Sequence, residues 1–200
     1  MKRILWIGLV TAMVGWTAPV SFTDRTSWQA AVGGSVLTDD LRGIAGTGDA
    51  NVVSSLTRGG VTFTPGGNTQ LVVADQDAPG YDFGAPGSVS FQLGFPSMLT
   101  LTFANMVFGF GFDVAAFPSG SAAVDLIAVV RTDAGLFRFE LPAANFAGFT
   151  SDRGIRSIVL QSDFGDPALT NLSTAVPEPG TVMLVGVAMG WLVLRRRFPK

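Results

Sequence analysis

The chain has 200 residues, 48% of them hydrophobic, and contains neither cysteine nor histidine. This rules out disulfides and a thiolate nucleophile, and it removes the commonest general base and zinc ligand. Pro19 to Glu178 carries seven arginines, no lysine and all fifteen acidic side chains, a net charge of −8 against −2 for the whole chain. That acidity argues against nucleic acid as a partner and suits neutral sugars or divalent cations better than anions.

Met1-Lys2-Arg3 precedes an apolar run from Ile4 to Val14, the pattern of a secretory signal peptide over residues 1–18. Such a segment implies passage through the Sec translocon and removal by signal peptidase. The cleavage site is irregular, because cutting after Ala18 leaves Trp16 and Pro19 in unfavourable positions. Cleavage after Thr17 or Gly15, or retention as a signal anchor, fits the same residues. Residues 19–175 then form one exported domain, the size of a single core.

Within it, Thr26-Ser27-Trp28-Gln29 fits a capping box with Thr26 as N-cap, and Gly33-Gly34 stops the helix. Trp28 and Val32 are expected to face inward. A strand is expected over Val36 to Leu41, followed by a Gly-rich loop from Arg42 to Asn51. Gly60 to Thr64 alternates, Pro65-Gly66-Gly67-Asn68 is a turn, and Leu71 to Ala74 is a buried strand. Asp75 to Gly87 is a polar loop. Val89, Phe91 and Leu93 alternate, as do Leu99, Leu101 and Phe103. Phe108, Phe110, Phe112 and Val114 are expected to line one face of the core, with Gly109 and Gly111 opposite. Glycines there would also admit a closely approaching surface. Val124 to Arg131 and Leu136 to Leu141 form a hairpin about Thr132-Asp133-Ala134-Gly135, with Phe137 and Phe139 inward. Phe146 to Asp152 reads as a loop, and Ile155 to Leu160 and Ala168 to Ser173 as strands. The fold class expected is mostly β: an antiparallel sandwich of jelly-roll type with one short helix near its start.

The last stretch has three parts in order: Pro177-Glu178-Pro179, a charge-free apolar run, and Arg195-Arg196-Arg197. Gly180 to Leu194 is 15 residues, roughly 22 Å as a helix, against a hydrocarbon core of about 30 Å. A membrane helix over about 181–194 is expected, with snorkelling arginines and local thinning making up the shortfall. The arginines act as the stop and place the rest of the chain outside. The two prolines keep the strip before the membrane extended, a form a processing protease can grip. A plain anchor with a Pro-rich stem fits equally well on these grounds.

Val176-Pro177-Glu178-Pro179-Gly180-Thr181, the apolar run with Gly186 and Gly190, and the terminal arginines resemble the PEP-CTERM sorting signal of Gram-negative bacteria. The match covers the tail segment 176–200. It implies recognition by an exosortase in the inner membrane, with Pro177, Glu178 and Pro179 as the cleavage element and Arg195, Arg196 and Arg197 as the membrane stop. It implies transient anchoring, then delivery to the cell surface or an exopolysaccharide and biofilm matrix. The "FTDRTSWQAAVGG" segment, "GFGFDV" and "FAGFTSDRGIRSIVL" resemble the sandwich domain of many such proteins. Where that family's last strand often carries an Asp-Asn pair, Thr170 precedes Asn171 here.

No spacing selects a catalytic pair among Asp24, Asp39, Asp113, Asp125 and Glu140, and a non-enzyme is expected. No cofactor is expected either. Asp75, Asp77 and Asp82 around Gly80 offer oxygen donors suited to calcium, although their spacing is not that of an EF-hand loop. Asp163 and Asp166 are a weaker version of the same arrangement. Tyr81, flanked by Asp77 and Asp82, is the aromatic best placed to stack on a sugar, or else to plug an end of the sandwich. The expected role is structural or adhesive, with a carbohydrate-binding module as the alternative.

Overall fold

A computed structural model describes residues 18–92, 96–143 and 145–176. The expected signal peptide, the Pro-Glu-Pro strip, the membrane helix over 181–194 and the arginine stop lie outside the described residues, as does Leu93. The elements are β1 (Val20–Phe22), α1 (Arg25–Val32), β2 (Ser35–Asp39), β3 (Ala50–Val53), β4 (Leu56–Arg58), β5 (Val61–Gly66), β6 (Gln70–Asp75), β7 (Gly87–Gln92), β8 (Ser97–Phe117), β9 (Leu126–Thr132), β10 (Gly135–Leu141), β11 (Phe146–Ser162) and β12 (Asp166–Val176). Every pairing between them is antiparallel.

The strands belong to one connected sheet that turns back on itself to make two leaves. The first half of β8 pairs with β5 (Phe63↔Leu101) and with the second half of β11 (Leu160↔Leu99), which continues to β9 and β10. Its second half pairs with β12 (Leu169↔Val114) and with the first half of β11 (Phe149↔Phe110); β12 continues to β7, β6 and β3. Ser162 sits opposite Ser97 and Asp166 opposite Phe117, and only residues 163–165 separate Ser162 from Asp166. Both ends of β8 therefore come together at one end of the molecule, and its middle turns the corner at the other. The inner faces share one core, in which Leu99, Leu101 and Ile158 of one leaf join Phe110, Phe112, Phe149 and Leu169 of the other. Phe103 and Phe110 meet edge to face across the corner, 4.8 Å between centroids. Burial of this continuous apolar surface is the dominant stabilising term.

The corner corrects one expectation. Inward positions are odd-numbered up to Phe103 and even-numbered from Phe110. The face must switch where the strand bends, because a one-residue slip inverts every side chain. Phe108 lies in that switch, 42% exposed, with Met106 also exposed. Strict alternation had placed Phe108 inside.

Gly109 and Gly111 do both things the sequence allowed: their neighbours fill the core, and their bare outer side is covered. A Cβ on Gly109 would meet Val32 at 2.6 Å and Ala175 at 2.9 Å; one on Gly111 would meet Phe146 at 2.7 Å; one on Gly148 would meet Trp28 at 2.6 Å and Phe146 at 2.7 Å. Gly109 and Gly148 form a flat seat for α1, and Gly111 seats the Phe146 ring that packs against Trp28. Trp28 is fully buried there, its Nε1–H donating to the Phe149 carbonyl at 3.2 Å. This explains a second correction. Phe146 to Asp152 belongs to β11, and Gly148, which looks like a loop residue, is there to admit the indole.

The helix starts earlier than the capping box suggests. Asp24 is the N-cap, and its Oδ1 accepts from the Ser27 N–H at 2.7 Å and the Ser27 hydroxyl at 2.8 Å, leaving Thr26 inside the first turn. A carboxylate outcompetes a hydroxyl for the free N–H groups of a first turn. Gly33, at φ 61°, ends the helix as expected. The expected strand to Leu41 stops at Asp39, whose Oδ1 accepts from the Leu41 N–H at 2.9 Å and turns Leu41 into the core. Asn51 pairs in β3, and β4 adds a short strand the sequence did not announce.

Candidate functional site

Most of the carboxylates named from the sequence are engaged in holding the fold. Asp75 Oδ1 accepts from the N–H groups of Gly48 (3.1 Å) and Asp77 (3.0 Å), and Asp82 Oδ1 accepts from Gly84 (3.3 Å). The bonds to Asp77 and Gly84 close Asx turns, and the bond to Gly48 ties Asp75 to the loop before β3. Among the described residues no group of three His, Cys, Asp or Glu side chains is placed to hold a metal. Asp39 is forked by Arg58 at 2.7 and 3.2 Å. That hydrogen bond holds its carboxyl below the ordinary 3.8 against the opposing effect of burial. Asp125 accepts from the Ala143 N–H at 2.7 Å.

Tyr81 is buried. It stacks with Phe117, 4.6 Å between centroids, and packs with Val72, Ala74, Ala78 and Phe83 over the outer face of β6. Its hydroxyl accepts from Gln92 Nε2 at 3.0 Å, and the same amide donates to Ser90 at 2.8 Å. At 7% exposure the ring offers no face to a sugar. The polar loop of residues 76–86 is thus a lid over β6 and β7; with Val89 and Phe91 in the core on the other face, all six residues of β7 are buried.

A polar network that sequence reasoning missed joins α1 to the sheet. Arg25 donates to Asp113 Oδ1 (2.8 Å from Nη2, 3.3 Å from Nε), to Ser173 Oγ (2.7 Å) and to the Asn171 carbonyl (3.1 Å). Asn171, at φ 47°, occupies a bulge where β12 has one residue more than β8, and its Nδ2 donates to Asp113 Oδ2 at 2.8 Å. Arg25 also lies 4.7 Å over the Phe146 ring. Asn171 is therefore tied to Asp113 on the neighbouring strand, and Thr170 beside it is buried without a charge.

The open chemistry lies at the end where the two ends of β8 meet. A cleft of about 290 Å³ is lined there by Asp82, Phe83, Ala115, Ser121 and Asn145, with Ala123 and Val124 at its border. A second, of about 280 Å³, shares Ala123 and Val124 and adds Asp125, Ile127, Asp163 and Phe164. Phe164 is 86% exposed. Its turn is tied down: the Ser162 hydroxyl donates to the Phe164 carbonyl at 2.7 Å, and Gln161 Nε2 to Asp163 Oδ1 at 2.7 Å. Gly165, at φ 82°, completes the turn against Val124, where a Cβ would come within 2.7 Å. The signal in the sequence was an aromatic inside the turn Asp163-Phe164-Gly165-Asp166, where it cannot reach a core. The sequence reading weighed only the two carboxylates. β12 starts at this end and its 11 residues carry the chain to Val176, about 30 Å away at ~3.3 Å per residue.

Residues 175–197 match the model of the PEP-CTERM protein-sorting motif. No curated protein matches the chain. Three solved structures are similar to it. The CBM22-1 xylan-binding domain of Paenibacillus barcinonensis Xyn10C is 18% identical at a TM-score of 0.41, over 67% of this chain and 99% of that one. A mutant of the family 29 carbohydrate-binding module CBM29-2 is 16% identical at 0.37, over 66% and 99%. The enzymatically active domain of bacteriophage CBA120 tailspike protein 4 is 14% identical at 0.37, over 59% and 20%.

Proposed function

We propose, from the PEP-CTERM sorting motif that residues 175–197 carry, that this is an exported, non-enzymatic sandwich protein delivered by an exosortase. It passes the inner membrane by a cleaved leader, is held briefly by its tail, and is released or transferred at Pro177-Glu178-Pro179. Its task at the surface is structural or adhesive, within an exopolysaccharide or biofilm matrix. The observation that carries this reading is the junction. Val176 is still paired with Ser35 as the last residue of β12, and the Pro-Glu-Pro strip is the next stretch of sequence. The folded cargo thus runs to the edge of the sorting element with no linker between them. Changing Pro177, Glu178 and Pro179 together to alanine should leave the chain in the membrane fraction. Undiminished release into the medium would overturn the reading.

A second reading, a carbohydrate-binding module, is favoured by one observation: a fully presented aromatic, Phe164, beside a cleft lined with carboxylates. It is compatible with the first, since binding sugar is one way to be adhesive.

A further inference from the structure

We infer that the loop end of the sandwich binds a neutral sugar, with Phe164 as the stacking ring and Asp125 and Asp163 as acceptors for hydroxyl groups; this rests on the carbohydrate reading above. Three observations converge. First, Phe164 is the most exposed of the large hydrophobic side chains described, yet its turn is fixed by Ser162, Gln161 and Gly165. A ring held on a rigid turn loses little entropy when a ligand lies on it. Leaving it in water costs hydrophobic free energy, and the core cluster, which takes in Val124 and Leu126, does not include it.

Second, the ring borders a recess rather than a flat surface. Phe164 lines the cleft of about 280 Å³, and the neighbouring cleft of about 290 Å³ shares Ala123 and Val124 in its wall. Each is close to the lower end of the roughly 300–1,000 Å³ of small-ligand sites. The wall beside the ring carries both kinds of group: Val124 and Ile127 offer apolar surface for the C–H side of a pyranose, and Asp125 and Asp163 offer acceptors for its hydroxyl groups, while Asp82, Ser121 and Asn145 line the neighbouring cleft. Ionised carboxylates only accept, and sugar hydroxyls can donate to them.

Third, the sign of the charge selects the class. Neither cleft is lined by an arginine, while three aspartates line them. A uronate or sulfated sugar would meet uncompensated like charge, whereas a neutral one would not. The position also suits a tailed protein. Val176 leaves from the far end of β12, so a membrane reached through the tail lies away from this end.

The test uses the full chain in a detergent without a sugar headgroup, run through native gels containing a neutral polysaccharide (xylan, galactomannan or mixed-linkage glucan) or polygalacturonate. The wild type should be retarded by at least one neutral polymer and not by polygalacturonate. Phe164→Ala should weaken that retardation at least tenfold with an unchanged melting curve, and Phe164→Trp should keep it. Equal retardation of Phe164→Ala would overturn this site while leaving the carbohydrate reading in place. Retardation by polygalacturonate alone would overturn the neutral-sugar assignment. No retardation by any polymer would overturn both.

Discussion

Replacing Gly148 by alanine puts a methyl group 2.6 Å from Trp28 Cδ1, 2.7 Å from Trp28 Cγ and 2.7 Å from Phe146 Cε1. None of these atoms is the loose end of a side chain. They belong to the root of a buried indole and to a ring wedged against Gly111, so the helix must lift or the strand must shift. Overpacking of this kind costs about 1–3 kcal/mol. For a domain of this size each kcal/mol is worth ~2–4 °C, so the melting temperature should fall by roughly 2–12 °C. Trp28→Ala removes the other side of the clash and should itself cost about 3–5 kcal/mol, including the hydrogen bond to the Phe149 carbonyl. The two changes must therefore couple. In the Trp28→Ala background the cost of Gly148→Ala should fall to the residual clash with Phe146, below about 1 kcal/mol, giving a coupling of roughly 0.5–3 kcal/mol. Urea denaturation of the four proteins measures it. If Gly148→Ala costs the same with and without the indole, α1 does not rest on that glycine and the account of the glycine seat is wrong.

Arg25→Ala should cost about 1–3 kcal/mol, the range for hydrogen bonds to charged groups, because it strips Asp113 and Ser173 of their shared donor; a urea midpoint series reads it. Asp39 is held below its ordinary 3.8 by Arg58, so its folded value lies under its unfolded one. The stability it supplies is present above about pH 3.8 and is lost as pH falls through the lower folded value. Asp39→Asn should accordingly lower the melting temperature at pH 7 and lessen its further fall between pH 5 and pH 2, which thermal scans across that range would show. Tyr81→Phe should cost about 1 kcal/mol by leaving the buried Gln92 amide one acceptor short, with sugar retention unchanged. A loss of retention in that variant would return Tyr81 to the binding site.

The strands that alternate strictly, such as Leu99-Leu101-Phe103 and Ile158-Leu160, were legible because one face must meet the core at every second residue. Phe108 was misread because alternation is local, whereas the corner at which β8 changes leaf is set by β11 and β12 folding against it. Gly148 was misread for a related reason. A glycine in a strand and a glycine in a loop look alike until the Trp28 side chain that needs the space, 120 positions earlier, is placed. The sorting motif was legible in full because its parts are consecutive and none depends on the fold. Tyr81 was singled out and Phe164 was passed over, although Tyr81 is the buried ring and Phe164 the exposed one. Both sit among aspartates and glycines in turns, and only the loop over β6 and β7 buries one while the short turn before β12 exposes the other. Arg25 drew no notice because its three partners come from residues 113 to 173, brought together by the bulge at Asn171.

The intact mass of the exported protein tests the central claim most directly. Processing at the sorting motif predicts a species that has lost the apolar run and Arg195-Arg196-Arg197, with a new C-terminus within Pro177-Glu178-Pro179 or a mass added there by transfer. A full-length mass that includes Arg197, found only in the membrane fraction, would contradict it and leave the tail a permanent anchor.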